Sequence, residues 1–114
     1  MRGFDKTRRL QNKKEYDHVF AQANKTVTTE LILLHRKNSL GYARVGLALS
    51  KKMIAKANQR NRVKRIIRES FRTHKLPAID VIVLARQGVA KVENNLINAN
   101  LSNAWDKLTA YYVN

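Results

Sequence analysis

The sequence has no cysteine and a single proline, Pro77, in 114 residues. Without cysteine there is no disulfide framework and no thiolate ligand for zinc, so a disulfide-stapled domain and a cysteine-based zinc module are excluded. No apolar run approaches the roughly 18 residues that a transmembrane helix needs, and the first residues lead into no signal-type hydrophobic segment. We therefore expect a cytoplasmic protein that has no membrane partner.

Acidic residues are also scarce, since 8 Asp and Glu stand against 23 Lys and Arg and give a net charge of +15. A net charge of this size indicates the kind of binding partner rather than the fold, and it favours a polyanionic partner. Because 44% of the residues are hydrophobic, the charge is expected on a folded domain rather than on a disordered basic tail. The length fits one domain over 1–114, in which residues 1–10 form a basic arm that is either mobile or laid along a partner.

The usual groups for catalysis are missing as well. His18, His35 and His74 are isolated from one another and have no partner at metal-ligand spacing, so we expect no side-chain metal site. The aspartates are scattered, and neither a glycine-rich phosphate loop nor an activated serine arrangement is present. We expect no catalytic residue in the polypeptide. What remains is arginine, lysine, asparagine and aromatic rings, the groups that hold phosphates and stack on bases.

The hydrophobic pattern predicts the order α-β-β-α-β-α in one α+β domain. The predicted segments are a capped helix over 13–22, strands over 30–36 and 42–50, a basic helix within 51–72, a strand over 79–85 and a final helix from about residue 93. Turn residues at 38–41 separate the first two strands, so an antiparallel hairpin is expected there. The strand over 79–85 is continuously apolar and should be buried on both faces.

The basic helix is the most distinctive segment. At about 100° per residue, one arc of this helix is apolar and collects Val63, Ile66, Ile67, Ser70 and Phe71. The other side is basic and carries Arg60, Arg62, Lys64, Arg65, Arg68 and Arg72, with Glu69 as its one acid. Like charges four residues apart destabilise a helix, so packing or a polyanion must offset their repulsion. This pattern favours a nucleic-acid surface over a merely solvated face.

Two aromatic side chains and one amide leave alternatives open. Tyr16 and Phe20 are four residues apart on the first helix, where they either stack on bases or pack in the core. Trp105 is expected in the core. Asn61 lies between two arginines and either bridges a phosphate or a hydrated Mg²⁺, or serves as a helix cap or solvent contact.

Residues 60–72 resemble the RNR motif of the bacterial ribonuclease P protein subunit family. The stretch 44–52 is similar to the family's strand that ends in a lysine pair, and Arg9-Leu10, Tyr16 and Val19-Phe20 extend the likeness upstream. The resemblance implies an α/β sandwich of the ribosomal-protein-S5 domain 2-like type, ordered α-β-β-β-α-β-α. Its extra strand would lie near 26–28. It also implies a left-handed β-α-β crossover through the basic helix, against the usual preference.

The same resemblance implies a function. The family protein binds a large catalytic RNA, and the pair removes the 5′ leader from precursor tRNA with Mg²⁺, as a 1:1 ribonucleoprotein in which the RNA carries catalysis. Carried over, the surface for the RNA subunit would comprise Lys51, Lys52, Lys56, Arg60, Asn61, Arg62, Lys64, Arg65 and Arg68. The cleft for the leader would be lined by Tyr16, Phe20, Arg44, Ala48 and Ser50. Leu34 departs from the family's pattern, because some members have tyrosine there.

Two other classes of function fit the composition. A ribosomal or RNA-chaperone protein without an enzymatic role would have the same fold and charge. A protein that reads the DNA major groove with its basic helix would need a dimer or a helix-turn-helix partner, and the sequence signals neither.

Overall fold

The computed structural model describes residues 8–112. The elements in chain order are α1 (Lys13–Ala21), β1 (Asn24–Val27), β2 (Leu31–Lys37), β3 (Arg44–Ala48), α2 (Ala57–Thr73), β4 (Ile79–Ala85), a 3₁₀ turn (Val89–Lys91) and α3 (Asn94–Tyr112). The order α-β-β-β-α-β-α that the resemblance implies is confirmed. The order predicted from hydrophobic pattern is one strand short, because the polar strand β1 carries no clear apolar alternation.

The four strands form one sheet in the order β1-β2-β4-β3. The predicted hairpin between 30–36 and 42–50 is therefore wrong, because β4 lies between β2 and β3. Strand β4 is buried along almost its whole length, and a central position removes its apolar side chains from water on both faces. The hairpin partner of β2 is instead β1, and the turn between them is held by Thr28, whose Oγ1 accepts the Leu31 amide at 2.9 Å.

Strands β3 and β4 are parallel neighbours, and α2 forms the connection between them. The left hand that the resemblance implies for this crossover remains a prediction. Among residues 8–112 no helix is long and apolar enough to cross a membrane, and the cytoplasmic location also remains a prediction. Of the basic arm, 1–7 lies outside the described residues. The next part of the arm is laid along the edge of β3, where the Leu10 amide donates to the Val45 carbonyl at 3.0 Å.

Helices α2 and α3 cover one face of the sheet and enclose the main core. The apolar arc predicted for the basic helix is confirmed, since all five of its side chains are buried. Trp105 of α3 is fully buried, packs against Phe71 with ring centroids 6.0 Å apart, and donates from Nε1 to Ser70 Oγ at 2.8 Å. Ser70, the one polar residue of the apolar arc, thus accepts a hydrogen bond from the one polar atom of the tryptophan ring.

Helix α1 covers part of the opposite face of the sheet. Its start is fixed as predicted, because Asn12 caps the helix by accepting the Glu15 amide at 2.9 Å. Val19 is fully buried and packs with Leu10 and Ile82 in a second, smaller core. Since one short helix cannot cover four strands, the rest of this face stays accessible.

Candidate RNA-binding surfaces

The outer side of α2 and the turn before it form the first candidate site, a basic surface. The basic surface is defined by Lys51, Lys52, Lys56, Asn61, Lys64, Arg65 and Arg68. Lys51, Lys52, Lys56, Asn61 and Arg65 are exposed, and Lys64 and Arg68 are half-buried. Glu69 is paired with Arg72, and within residues 8–112 no basic side chain of this surface has an ion-pair partner. These cations repel one another, and a bound polyanion would offset that repulsion.

Arg60 points into the protein rather than out of the basic surface. Its Nη1 donates to the Ile54 carbonyl at 2.9 Å and to the Ala55 carbonyl at 3.0 Å. These carbonyls belong to the turn that carries Lys51, Lys52 and Lys56. Arg60 therefore fixes the shape of the segment that presents three lysines.

Arg62 is engaged in the same way on the other side of α2. Its Nη2 donates to the Ala90 carbonyl at 2.9 Å, its Nη1 donates to the Val92 carbonyl at 3.3 Å and to Asn94 Oδ1, and its Nε donates to Gln59 at 2.9 Å. Its guanidinium thus ties α2 to the 3₁₀ turn and to the start of α3. A direct RNA contact by Arg60 or Arg62 remains a prediction; the geometry gives both a bracing role.

Sequence reasoning missed this bracing, although one signal was present. Arg62 is four residues before Ile66, which places it at the border of the apolar arc rather than at the centre of the charged side. A long cation at such a border can reach over the neighbouring backbone and bind carbonyls there. The carbonyls that it binds lie about thirty residues away, so only the tertiary structure identifies them.

The second candidate site lies on the accessible part of the sheet, beside α1. Tyr16 is half-buried and its hydroxyl accepts the Leu47 amide at 3.1 Å. Phe20 leaves 46% of its surface exposed, so it is not a core residue. The i,i+4 spacing puts both rings on the same flank of α1. Of the two alternatives, stacking on bases or packing in the core, the structure places Tyr16 partly in a structural role and leaves Phe20 available to a ligand.

An apolar row crosses the sheet next to these aromatic rings. Val27, Ile32, Leu84 and Ala48 are successive cross-strand partners on β1, β2, β4 and β3. They lie on the face that α1 covers only in part, and none of them is fully buried. The row forms the floor of a groove whose wall is α1, and we call this feature the sheet groove. Leu34, where some family members have tyrosine, packs under α1 instead.

Arg44 was expected in the leader cleft, but its guanidinium is bound within the protein. It donates to both carboxylate oxygens of Asp80, at 2.9 and 2.8 Å, and to Glu15 Oε2 at 2.9 Å. The Asp80 bonds raise the pKa of Arg44. The pKa of Glu15 is lowered, chiefly by the hydrogen bond from the Gln11 backbone amide and also by the hydrogen bond and charge of Arg44. These two ion pairs fasten α1 to β3 and β4, so Arg44 positions the wall of the groove. A contact between Arg44 and a leader remains a prediction.

The two other expected cleft residues lie at the end of β3. Ala48 is half-buried and belongs to the floor of the sheet groove. Ser50 lies beyond the strand, where its Oγ accepts the Met53 amide at 3.3 Å and its carbonyl accepts the Ile54 amide at 3.0 Å. Ser50 therefore shapes the turn of Lys51 and Lys52, at the boundary between the sheet groove and the basic surface.

The two candidate sites meet at the edge of β3. A small cleft of about 90 Å³ lies there, and its lining includes Arg9, Tyr16, Lys64 and Arg68. Lys64 and Arg68 belong to the basic surface, whereas Tyr16 belongs to the wall of the sheet groove. A strand of nucleic acid leaving the groove would therefore reach cations at once, without crossing a neutral gap.

The described part of the chain brings together no group of three His, Asp or Glu side chains that could hold a metal ion. Of the candidate ligands, Asp80 and Glu15 are bound to Arg44, and the buried Glu30 accepts from Asn100 at 2.7 Å. Asn61 is exposed and free to meet a phosphate or a hydrated ion.

A folded α/β domain with unpaired cations on one helix and a half-open apolar sheet face beside it defines a class, the small basic nucleic-acid-binding proteins. The family profile of ribonuclease P matches residues 4–109. A ribonuclease P protein component of Legionella pneumophila (strain Lens) is 56% identical over 112 residues, which cover 98% of each chain. The chain therefore belongs to the ribonuclease P protein family, and the resemblance seen in the sequence is confirmed.

Solved structures agree with this membership. An RNase P protein of Staphylococcus aureus superimposes with a TM-score of 0.82 at 26% identity, over 90% of this chain and 97% of that one. The RNase P protein of Thermotoga maritima gives a TM-score of 0.78 at 27% identity, over 87% and 96% of the two chains. The mixed α/β fold is thus shared across the family at low sequence identity.

Proposed function

We propose that this chain is the protein subunit of ribonuclease P, which binds a catalytic RNA and the 5′ leader of precursor tRNA and promotes removal of the leader. The observation that carries the proposal is the contiguity of the basic surface and the sheet groove at the edge of β3. A ribosomal or chaperone protein would need only the basic surface. The family membership also favours ribonuclease P over those alternatives.

The basic surface is the proposed contact with the RNA subunit. Its exposed lysines and arginine bind phosphates, and each neutralised phosphate releases a counterion, so the affinity should fall steeply with salt. Asn61 adds an amide that can bind either a phosphate oxygen or a water of hydrated Mg²⁺. In this scheme Arg60 and Arg62 keep the surface in shape from below, while Lys56, Lys64, Arg65 and Arg68 contact the RNA.

The sheet groove is the proposed site for the leader. Single-stranded RNA is bound through stacking of its unpaired bases on aromatic and apolar side chains. Here Phe20 and Tyr16 provide the aromatic wall, and the row that includes Ala48 provides an apolar floor. Few hydrogen-bonding side chains line the floor, so we expect weak preference for leader sequence.

The bond cleavage itself is assigned to the RNA and Mg²⁺. This assignment is supported by the carboxylates next to the sheet groove, Asp80 and Glu15, which are committed to Arg44 at 2.8 and 2.9 Å. The polypeptide would position the substrate and screen phosphate repulsion between two RNAs. We propose a 1:1 complex of one protein monomer with one RNA, acting in the cytoplasm.

The test is cleavage of a 5′-labelled precursor tRNA at low Mg²⁺ and moderate salt by the protein, by a bacterial ribonuclease P RNA, and by the two together. We expect cleavage at the mature 5′ end to be strongly stimulated only in the mixture. The mass of the complex, measured by light scattering, should equal one protein plus one RNA. A lack of stimulation across several bacterial RNAs, together with copurification with ribosomal subunits, would favour the ribosomal or chaperone function.

A further inference from the structure

A second groove lies beside the basic surface, and of its lining residues only Lys56 has a role in the proposed function. It runs between the turn before α2 and the 3₁₀ turn before α3, with a volume of about 280 Å³. Met53, Ala55 and Lys56 form one wall, Ala90 and Lys91 form the other, and Gln59 lies between them. The volume is near the lower end of small-molecule pockets, which begin at roughly 300 Å³.

Both walls of this groove are held from below by the two arginines of the motif. Arg60 binds the Ala55 carbonyl at 3.0 Å, and Arg62 binds the Ala90 carbonyl at 2.9 Å. Gln59 is itself bound by Arg62 Nε at 2.9 Å. The spacing of the walls is therefore fixed by charge-assisted hydrogen bonds, and the groove is preformed rather than an accident of flexible surface loops.

The chemistry of the groove combines an apolar interior with a cationic rim. The interior side chains are those of Met53, Ala55 and Ala90, and the methionine thioether makes favourable contacts with aromatic rings. Lys56 and Lys91 are exposed on opposite walls, and within residues 8–112 neither forms an ion pair. An occupant should thus be flat and apolar at its centre and carry negative charge on either side.

We propose that this groove takes one unstacked nucleobase of the RNA subunit, with the phosphates that flank the base bound by Lys56 and Lys91. The inference rests on the proposed function, because it assumes the RNA partner. It adds a contact with a base of the RNA subunit to the phosphate contacts proposed for the basic surface. Proteins commonly recognise folded RNA through bases that are splayed out of loops and bulges. The proposal also explains why Arg60 and Arg62 are both bound within the protein, since each holds one wall of this groove.

Ala55→Leu is the variant that tests the proposal, because it fills the groove without changing any charge. Ala55 is exposed, so the fold should tolerate the change. Ala110→Leu, at an exposed position of α3, is the matched control. We expect Ala55→Leu to weaken binding to ribonuclease P RNA by roughly fivefold or more, the loss of one stacked base. The dependence of affinity on salt should keep its wild-type slope, because no phosphate contact is removed.

Chemical probing of base edges in the RNA gives the second readout, and the protection expected in the wild-type complex can be measured without any variant. One unpaired base should be protected in the wild-type and Ala110→Leu complexes and reactive in the Ala55→Leu complex. Lys56→Gln should instead lower the salt slope by about 1. Unchanged affinity and an unchanged probing pattern for Ala55→Leu, in a complex that still cleaves precursor tRNA, would overturn the inference and leave the proposed function intact. Absence of any RNA binding by the wild-type protein would instead overturn the proposed function.

Discussion

The ring of Tyr16 lies directly on the backbone of Gly46. A Cβ atom built at Gly46 would lie 2.7 Å from both Cζ and Oη of Tyr16, so a side chain at this position would force the tyrosine ring to move. The tyrosine hydroxyl in turn accepts the amide of Leu47 at 3.1 Å, so it satisfies a donor at the outer edge of β3. A glycine in the middle of a strand is thereby explained, since it lets an aromatic wall approach the sheet.

Gly46→Ala should push Tyr16 away from β3 and narrow the junction between the sheet groove and the basic surface. We expect weaker binding of precursor tRNA by the assembled enzyme, with little change for mature tRNA, because only the precursor has a leader. Tyr16→Phe is the control, since it keeps the ring and removes only the hydroxyl. Equal affinities of Gly46→Ala and wild type for precursor tRNA would show that the position of Tyr16 does not matter to the leader.

Phe20→Ala should separate stacking from packing. Because nearly half of Phe20 is exposed, the free energy of unfolding should change by less than about 1 kcal/mol, in the range of surface substitutions. Affinity for precursor tRNA should fall by about 1–3 kcal/mol, the contribution of one stacked base. Urea unfolding and filter binding with precursor and mature tRNA measure the two effects. A loss shared equally by both tRNAs would contradict a leader contact.

Arg62→Gln and Arg65→Gln should affect different properties, stability and RNA binding respectively, although the two residues are three positions apart on one helix. Arg62 binds two backbone carbonyls and two side chains of the protein, so its loss should lower stability by about 2 kcal/mol. Arg65 is exposed, so its loss should spare stability but weaken RNA-subunit binding and lower the salt slope by about 1.

Thermal unfolding and salt titrations of RNA binding distinguish the two variants. An Arg62→Gln protein with wild-type stability would show that the bracing bonds are replaced by water without cost. An Arg65→Gln protein with an unchanged salt slope would remove Arg65 from the set of phosphate contacts.

Arg44→Met should be strongly destabilising. The change leaves Asp80, which is 3% exposed, without its cation and with the Asn38 amide at 2.9 Å as a remaining donor. Breaking one side of a buried ion pair costs about 3–5 kcal/mol. The double variant Arg44→Met/Asp80→Leu removes both charges and should recover much of the loss. Denaturant unfolding of the two proteins measures the difference, and a double variant no more stable than Arg44→Met would contradict the explanation.

His35 should make stability depend on pH. It is 2% exposed, its ring lies 2.7 Å from the Tyr112 hydroxyl and 3.0 Å from Thr26 Oγ1, and burial lowers its pKa from 6.5 to about 4. Between these values the unfolded chain binds a proton that the folded chain does not, so stability falls as the pH is lowered. From pH 7.5 to 5, the free energy of unfolding should fall by about 2 kcal/mol more for wild type than for His35→Gln.

Urea unfolding at the two pH values measures this difference. The comparison with His35→Gln cancels the contributions of every other titratable group, because both proteins share them. Equal pH dependence of the two proteins would show that His35 is protonated in the folded state as readily as in the unfolded chain.

Local patterns sufficed for the helices and for the division between core and surface. The spacing of Val63, Ile67 and Phe71 predicted the buried arc of α2, and Asn12 with Glu15 predicted the start of α1. The aliphatic run of β4 predicted a strand buried on both faces. These predictions hold because hydrophobic periodicity and capping are properties of residues within one or two turns of each other.

Strand neighbours could not be predicted in this way. Turn residues at 38–41 favoured a hairpin, but the chain gains more by placing β4 between β2 and β3, since the centre of the sheet buries both faces of the most apolar strand. The same limit applies to Arg44, Arg60 and Arg62. Their charge suggested RNA contacts, whereas their carbonyl and carboxylate partners are distant along the chain and only folding brings them together.

The sequence by itself determined that this protein is strongly basic, combines helices with strands and belongs to the ribonuclease P protein family, because charge, apolar spacing and the motif at 60–72 depend only on the order of residues along the chain. The tertiary structure alone decided which cations are exposed and which are bound within the protein. That decision depends on the distance between each guanidinium and an acceptor from another element. Arg65 and Arg62 are chemically identical, but Arg62 Nη2 lies 2.9 Å from the Ala90 carbonyl, whereas Arg65 is exposed.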